Sequence, residues 1–247
     1  EDAGDGVDDP DGEHAAGQPE QRQQEEREGE AADQGARQRE PGREGSGEED
    51  EAEAAADRDE GRQPASVTAQ RAKRAIAKAA AALIAPGQVV IIDGGTTSAE
   101  LVRQLPLNLN ATIVTHSPSV AVGLVDHPTV EVILIGGRLY KHSIVSVGAA
   151  AVEAMSHIRA DLYFMGVTGV HPTAGLSTGD LEEAYIKRAL AARAAETVVL
   201  ASAAKLNAAS QYAIGDITLA HTIIVERATD DALIAPLQQA GVSVLKA

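Results

Sequence analysis

Apolar residues are unevenly spread along this chain. Residues 1–66 contain no Leu, Ile, Phe, Met, Tyr or Trp, and Val7 is their only large aliphatic side chain. From Val67 onward a regular pattern begins. Ile76, Ala80, Leu83 and Ile84 fall on one face of a helix that Pro86-Gly87 ends. Short apolar runs follow at Val89–Ile92, Ala111–Val114, Val130–Ile135, Leu162–Val167, Thr197–Leu200, Thr222–Val225 and Val242–Leu245. Between them lie helical stretches at Ser98–Gln104, Val120–Val125, Ala149–Ser156, Leu181–Ala194 and Asp231–Ala240. Strands that read as continuous apolar runs and alternate with helices predict an α/β fold: a mostly parallel open sheet with helices on both faces. Two regions are expected, an acidic segment over 1–66 and one folded domain over 67–247.

Charge sharpens that division. The first 66 residues hold 23 acidic side chains against 7 arginines, whereas residues 67–247 hold 14 of each sign, so the whole net charge of −16 lies in the first segment. Such a segment buries too little apolar surface to offset its chain entropy, and disorder is expected. The neutral body gives no electrostatic reason to bind nucleic acid by itself. The absence of cysteine excludes disulfides, thiolate metal sites and a Cys nucleophile. No apolar run nears the length of a membrane span, and the expectation is a soluble, cytoplasmic protein with no membrane contact.

Polar residues collect just after the strands, where ligands bind in open α/β sheets. Asp93-Gly94-Gly95-Thr96-Thr97 follows the first run, Thr115-His116-Ser117 the second, Gly136-Gly137-Arg138 the third, Thr168-Gly169 the fourth, and Ser202 with Lys205 the fifth. In the first of these, two glycines allow a sharp turn and close backbone approach, and two threonines open a helix whose free N–H groups favour an anion such as phosphate. Asp93 suits sugar hydroxyls or bracing of the loop. An ordinary strand–helix turn with a capping Thr is the competing explanation. A P-loop and a dinucleotide fingerprint are both absent.

The remaining candidates each carry two explanations. Lys205 is either a cation for the phosphate or a solvated surface lysine. His116 is either a ligand contact or a structural histidine. No second ligand stands beside it at metal-binding spacing, so neither a metal nor another cofactor is expected. In Gly175-Leu176-Ser177-Thr178-Gly179-Asp180, a loop before a helix, Asp180 and Glu183 have capping-box spacing, and Glu183 with Lys187 fits an exposed i,i+4 pair. If that loop closes over a ligand, Glu182 or Lys187 faces it.

Taken in order, Asp93-Gly94-Gly95-Thr96-Thr97, Thr115-His116-Ser117, Ile135-Gly136-Gly137, Asp161 to Gly166, Gly169, Gly175-Leu176-Ser177 and Lys205 closely resemble the sensor domain of DeoR-type transcription regulators, from about Lys73 to Glu226. The resemblance implies a fold similar to ribose-5-phosphate isomerase and its phosphosugar-binding relatives, a phosphorylated sugar or polyol as effector, and a homo-oligomer. By matching positions, Asp93, Gly95, Thr96 and Thr97 would form the phosphate and hydroxyl site, completed by Thr115, His116, Ser117, Gly136, Gly137 and Lys205. Three positions depart from the family pattern: His116 stands for a usual Asn, Ser202 for a usual Asp and Glu226 for a common Asp.

The resemblance also implies a winged helix-turn-helix ahead of the sensor, over about the length of the acidic segment. A recognition helix needs an apolar core and basic residues, and residues 1–66 offer neither. Their bias towards Ala, Gly, Arg, Glu, Asp and Gln suits GC-rich DNA translated in the wrong frame; an acidic solubilising tail is the alternative. The expected function is therefore a non-enzymatic effector-sensing domain. It would reach operator DNA only through a helix-turn-helix not recognisable in this chain. The alternative is a phosphosugar isomerase or deaminase-like enzyme, with Asp93 or Glu182 as base; a nucleotide-binding domain is weaker still without its glycine fingerprint.

Overall fold

The computed structural model describes residues 65–247, with side chains from Val67. The expectations for the acidic segment lie outside the described residues. Seven strands form one sheet: β1 (Val89–Ile92), β2 (Ala111–Thr115), β3 (Val130–Leu134), β6 (Ala160–Gly166), β9 (Ala194–Leu200), β11 (Thr222–Val225) and β12 (Ser243–Lys246). Their order is β12-β11-β9-β6-β1-β2-β3, and every neighbouring pair is parallel. The apolar runs of the sequence are these strands, because a strand covered on both faces has no solvent side to make polar.

Alternation along each strand feeds two cores. Val90 and Ile92 of β1, with Leu162 and Phe164 of β6, point to one face; there they meet Ile76, Ala77, Ala80, Leu101 and Val120 from α1 (Ala65–Ala81), α2 (Thr96–Arg103) and α3 (Pro118–Gly123). Ile91, Tyr163 and Met165 point to the other face and meet Met155, Ile186 and Leu237 from α4 (Ala149–Met155), α5 (Leu181–Ala191) and α6 (Asp231–Gln239). Leu83, expected on the buried face of the first helix, is exposed, and Ala77 takes that face.

Five short strands fall outside the expected pattern. β4 (Arg138–Tyr140) and β5 (Val145–Val147) make an antiparallel hairpin, and β7 (Gly169–His171), β8 (Gly175–Thr178) and β10 (Tyr212–Gly215) make an antiparallel sheet in the order β10-β8-β7. The expected loop at Gly175 is thus strand β8, buried along its whole length. Gly175 holds φ +76°, and a Cβ there would strike the carbonyl of Gly215 on β10, so only glycine lets these strands lie together.

Chain order along the main sheet reverses between β1 and β6. From β1 the chain steps outward through β2 to β3; β6, β9, β11 and β12 step outward the other way. A crevice opens beyond the carboxyl ends of the strands at such a switch point.

Candidate functional site

Asp93, the residue after β1, stands at that switch point and is fully buried. Its Oδ1 accepts from its neighbour Gly94 N at 2.7 Å and lies 2.8 Å from His116 Nε2. Its Oδ2 accepts from Gly166 N, at the end of β6, at 2.8 Å and from the buried ammonium of Lys187 on α5. Burial alone would push the Asp93 carboxyl up. The charge of Lys187 and the hydrogen bond and charge of His116 outweigh it and hold the group well below its ordinary 3.8. The carboxylate is thus a brace that ties β1, β2, β6 and α5 together, with its lone pairs taken up by the protein.

The Thr115-His116-Ser117 triplet lies beneath the same point. Thr115 Oγ1 donates to Ile92 O at 2.7 Å and accepts from Ser117 N at 3.1 Å, linking the ends of β1 and β2. His116 Nδ1 donates to Ser146 O at 3.0 Å, and Ser117 Oγ to Ile144 O at 3.2 Å, so both residues anchor the β4–β5 hairpin. All three are buried.

Above this floor lies a cavity of about 560 Å³. Asp93, Gly94, Gly95, Thr96, Thr97 and Lys205, all expected at the site, line it together. The two glycines have different reasons. Gly95 holds φ +103° with open space where a Cβ would sit; Gly94 packs against Val145 Cγ1 of the hairpin, which a Cβ would overlap. Gly95 is also the N-cap of α2; among the described residues no side chain caps the helix there, and Thr96 and Thr97 of its first turn line the opening. Lys205 sits on a 3-10 turn, Ala203–Lys205, whose Ala203 N donates to both carboxylate oxygens of Glu226 at 2.9 and 3.0 Å. Burial, and the like charges of Lys187 and Lys73, lower the Lys205 ammonium below its ordinary 10.5 against the pull of Asp93. Among the described residues no carboxylate pairs with it within salt-bridge distance.

Six expected residues are not among those that line it: Thr115, His116 and Ser117 lie beneath it, and three lie elsewhere. Gly136 and Gly137 are not among the lining residues. Gly137 holds φ +152° where the hairpin passes α4, and a Cβ would press on Ala151 and Val147 O at 3.0 Å. Glu182 lines a separate groove with Val152 and Tyr185. The spacing of Glu183 and Lys187 fitted an exposed pair, with Lys187 facing a ligand as the alternative; both are buried and line the cavity with Asp93. Glu183 completes half of the expected capping box: its N–H donates to Asp180 Oδ1 at 3.0 Å, but its carboxylate Oε2 accepts from Thr178 Oγ1 at 3.0 Å instead of turning back to the cap. Its tilt towards Thr178 puts a carboxylate into the cavity wall. Thr168, Ser119 and the hairpin tip His142-Ser143-Ile144 also line it. No motif marks the hairpin tip in the sequence. Its nearest signal is the Gly-Gly that precedes it. Among the described residues no three His, Asp or Glu gather as a metal site, and no helix is long and apolar enough to cross a membrane.

Comparison with known proteins places the chain in a class. The family model for the DeoR C terminal sensor domain matches residues 68–227, and the chain belongs to that family. One relative, from Escherichia coli O157:H7, carries a name that makes it a transcriptional repressor of the aga operon; it is 32% identical over 173 residues, 70% of this chain and 64% of its own length. The HTH-type transcriptional regulator GlpR of Haloferax volcanii is 33% identical over 173 residues, 70% of this chain and 68% of its own. The chain thus spans about two thirds of the length of these curated relatives. They are regulators of transcription by name, not enzymes. Among solved structures, ribose 5-phosphate isomerase A of Methanocaldococcus jannaschii is 20% identical with a TM-score of 0.40, over 54% of this chain and 52% of that one. The enzyme alternative required Asp93 or Glu182 as base. The first is ion-paired in the floor and the second lies outside the cavity.

Proposed function

We propose that residues 67–247 sense a phosphorylated sugar or polyol and thereby control operator binding by an oligomeric, cytoplasmic transcription regulator. The observation that carries this reading is the pairing, across one cavity, of an unmatched cation with bare helix amides. Lys205 and the first turn of α2 both line the opening, and among the described residues no side chain pairs with the ammonium or caps the helix. A phosphate there would gain charge-assisted hydrogen bonds and the favourable end of the helix dipole. The lining also offers Glu183, Thr178 and Thr168, which suit the hydroxyls of the rest of the molecule. Membership of a sensor family supports the same reading. Contact with operator DNA would run through a helix-turn-helix not recognisable in this chain. Control of that contact requires the effector to bind two states of the regulator with different affinity.

Thermal denaturation with a panel of sugar phosphates, polyol phosphates and their unphosphorylated parents tests this. At one hundred times its dissociation constant a true effector stabilises the fold by about 2.7 kcal/mol, a rise of several degrees in Tm. The expected result is a rise with one or more phosphate esters and none with the parent alcohols. A panel in which no phosphate ester raises Tm, or the bare sugars raise it equally, contradicts the reading.

A further inference from the structure

The two edges of the main sheet are protected to different degrees. An edge strand offers unpaired amide groups to any other strand, and folded proteins blunt such edges with charge, brevity or cover. β12 at one edge ends in Lys246, whose ammonium is tied to Asp231 Oδ1 at 2.6 Å. β3 at the other edge reads Val-Glu-Val-Ile-Leu, and its one charged residue, Glu131, is bonded back towards β2 by Thr112 Oγ1 at 3.3 Å. Ile135 N donates inward to Thr115 O. The odd-numbered residues of β3 therefore turn their amides to β2, and Val130, Val132 and Leu134 turn theirs outward.

The surface around this strand is apolar. Val122 on α3 and Val125 just past it are 71% and 74% exposed, and Ile133 and Leu134 of β3 are 39% and 50% exposed. Leu107 is 73% exposed and is held near the start of β3, where its carbonyl accepts from Thr129 Oγ1 at 3.2 Å. Ile133 lies on the other face of the sheet from Leu134 and α3, and the five side chains together leave on the order of 500 Å² of apolar surface open around this edge. A standard interface buries ~800 Å² per partner, of which roughly 60% is non-polar, so the open patch supplies about the apolar share that a stable dimer needs.

We propose that β3 is a homodimer interface: it pairs antiparallel with β3 of a second copy about a twofold axis through Val132, joining the two sheets. In that register Val132 faces its own copy and Val130 faces Leu134 of the partner subunit, so outward amides meet outward amides along the whole strand. Centring on Glu131 instead would set two like charges directly opposite, which is destabilising. Centring on Ile133 would shorten the overlap. Residues 67–247 carry 14 charges of each sign, so two such domains meet without net repulsion. The inference rests on the oligomeric part of the proposed function and gives that oligomer a face.

Sedimentation equilibrium of the full chain at micromolar concentration tests it. Val132→Pro removes an outward N–H that β2 does not use, a position where edge strands tolerate proline. Val122→Lys with Val125→Lys places ammonium groups beside the axis without altering the strand. The wild type is expected at twice the 25.5 kDa of the chain or at a multiple of that dimer. Both variants are expected at half the wild-type mass with unchanged far-UV circular dichroism, and Leu245→Lys on the opposite edge at the wild-type mass. If Val132→Pro fails to fold, the double lysine variant decides. A double lysine variant that keeps the wild-type mass overturns the interface and leaves an oligomeric regulator standing. A wild type that sediments as a monomer overturns both. Dimerisation through β3 without any response to phosphate esters overturns the effector reading alone.

Discussion

Replacing Lys187 with Met removes the cation from a carboxylate that has no access to water. Asp93 keeps its bonds from Gly94 N and Gly166 N and its contact with His116, but loses the charge of Lys187. Two unit charges about 3 Å apart attract by roughly 5 kcal/mol at an effective dielectric of ~20. Relief from burying the ammonium offsets part of that, so the expected loss of stability is about 3 kcal/mol, within the range for breaking a buried pair. With a urea m-value of about 2–3 kcal/mol/M, the denaturation midpoint should fall by roughly 1 M at neutral pH. The sign of the pH dependence follows from Asp93. Its carboxyl in the folded wild type lies below the ordinary 3.8, so its contribution is complete above that value and is lost as pH falls through the folded one. Without Lys187 burial dominates and the carboxyl moves up, so the variant recovers stability as Asp93 takes a proton. The gap between the two proteins should therefore narrow as pH falls from 7 towards 4. A loss below about 1 kcal/mol, or a gap that widens on acidification, refutes the argument that this pair holds the floor of the cavity.

Two further substitutions probe the walls. Gly94→Ala puts a Cβ onto Val145 Cγ1 and should cost about 1–3 kcal/mol in thermal denaturation. Val145→Ala in the same chain should recover part of it, and no recovery would show that backbone conformation, not packing, is the constraint. Thr178→Val takes the hydrogen bond from Glu183 Oε2 and should lower stability by about 2 kcal/mol, since the acceptor is charged and buried; a neutral effect in urea denaturation would mean that water replaces the hydroxyl.

The large sheet was legible in the sequence because its central strands are buried on both faces and so carry apolar runs, which the edge strands β3 and β12 extend in weaker form. The short strands were not. Gly175–Thr178 consists of two small polar residues, a glycine and one leucine, yet all four are buried, because Ser177 Oγ accepts from Ser210 N and Leu176 joins the core. Their strand character comes from pairing on both sides, with the nearby Gly169–His171 and with Tyr212, which is remote in sequence. The same limit governed the site. Asp93 to Thr97 announced itself because glycines and hydroxyls after an apolar run have a local meaning. Lys187 and Glu183 looked like a surface pair because their spacing fits one. Their true partners, Asp93 at a separation of 94 residues and Thr178 across the cap, are set by the fold. The identity of Glu226 as the brace of the Lys205 turn is of the same kind: the sequence marks it only as a departure from the family pattern, and the packing of β9 beside β11 brings it under Ala203.

The central claim is that the start of α2 and Lys205 together receive a phosphate. The most direct measurement is a titration of the ¹⁵N-labelled chain with ribose 5-phosphate and with inorganic phosphate, followed by amide chemical shifts. The account predicts that the amides of Gly95, Thr96 and Thr97 move with both ligands, and that Lys205→Ala abolishes the movement while leaving the rest of the spectrum in place. Shifts that avoid those three amides, or that persist unchanged in Lys205→Ala, would contradict it.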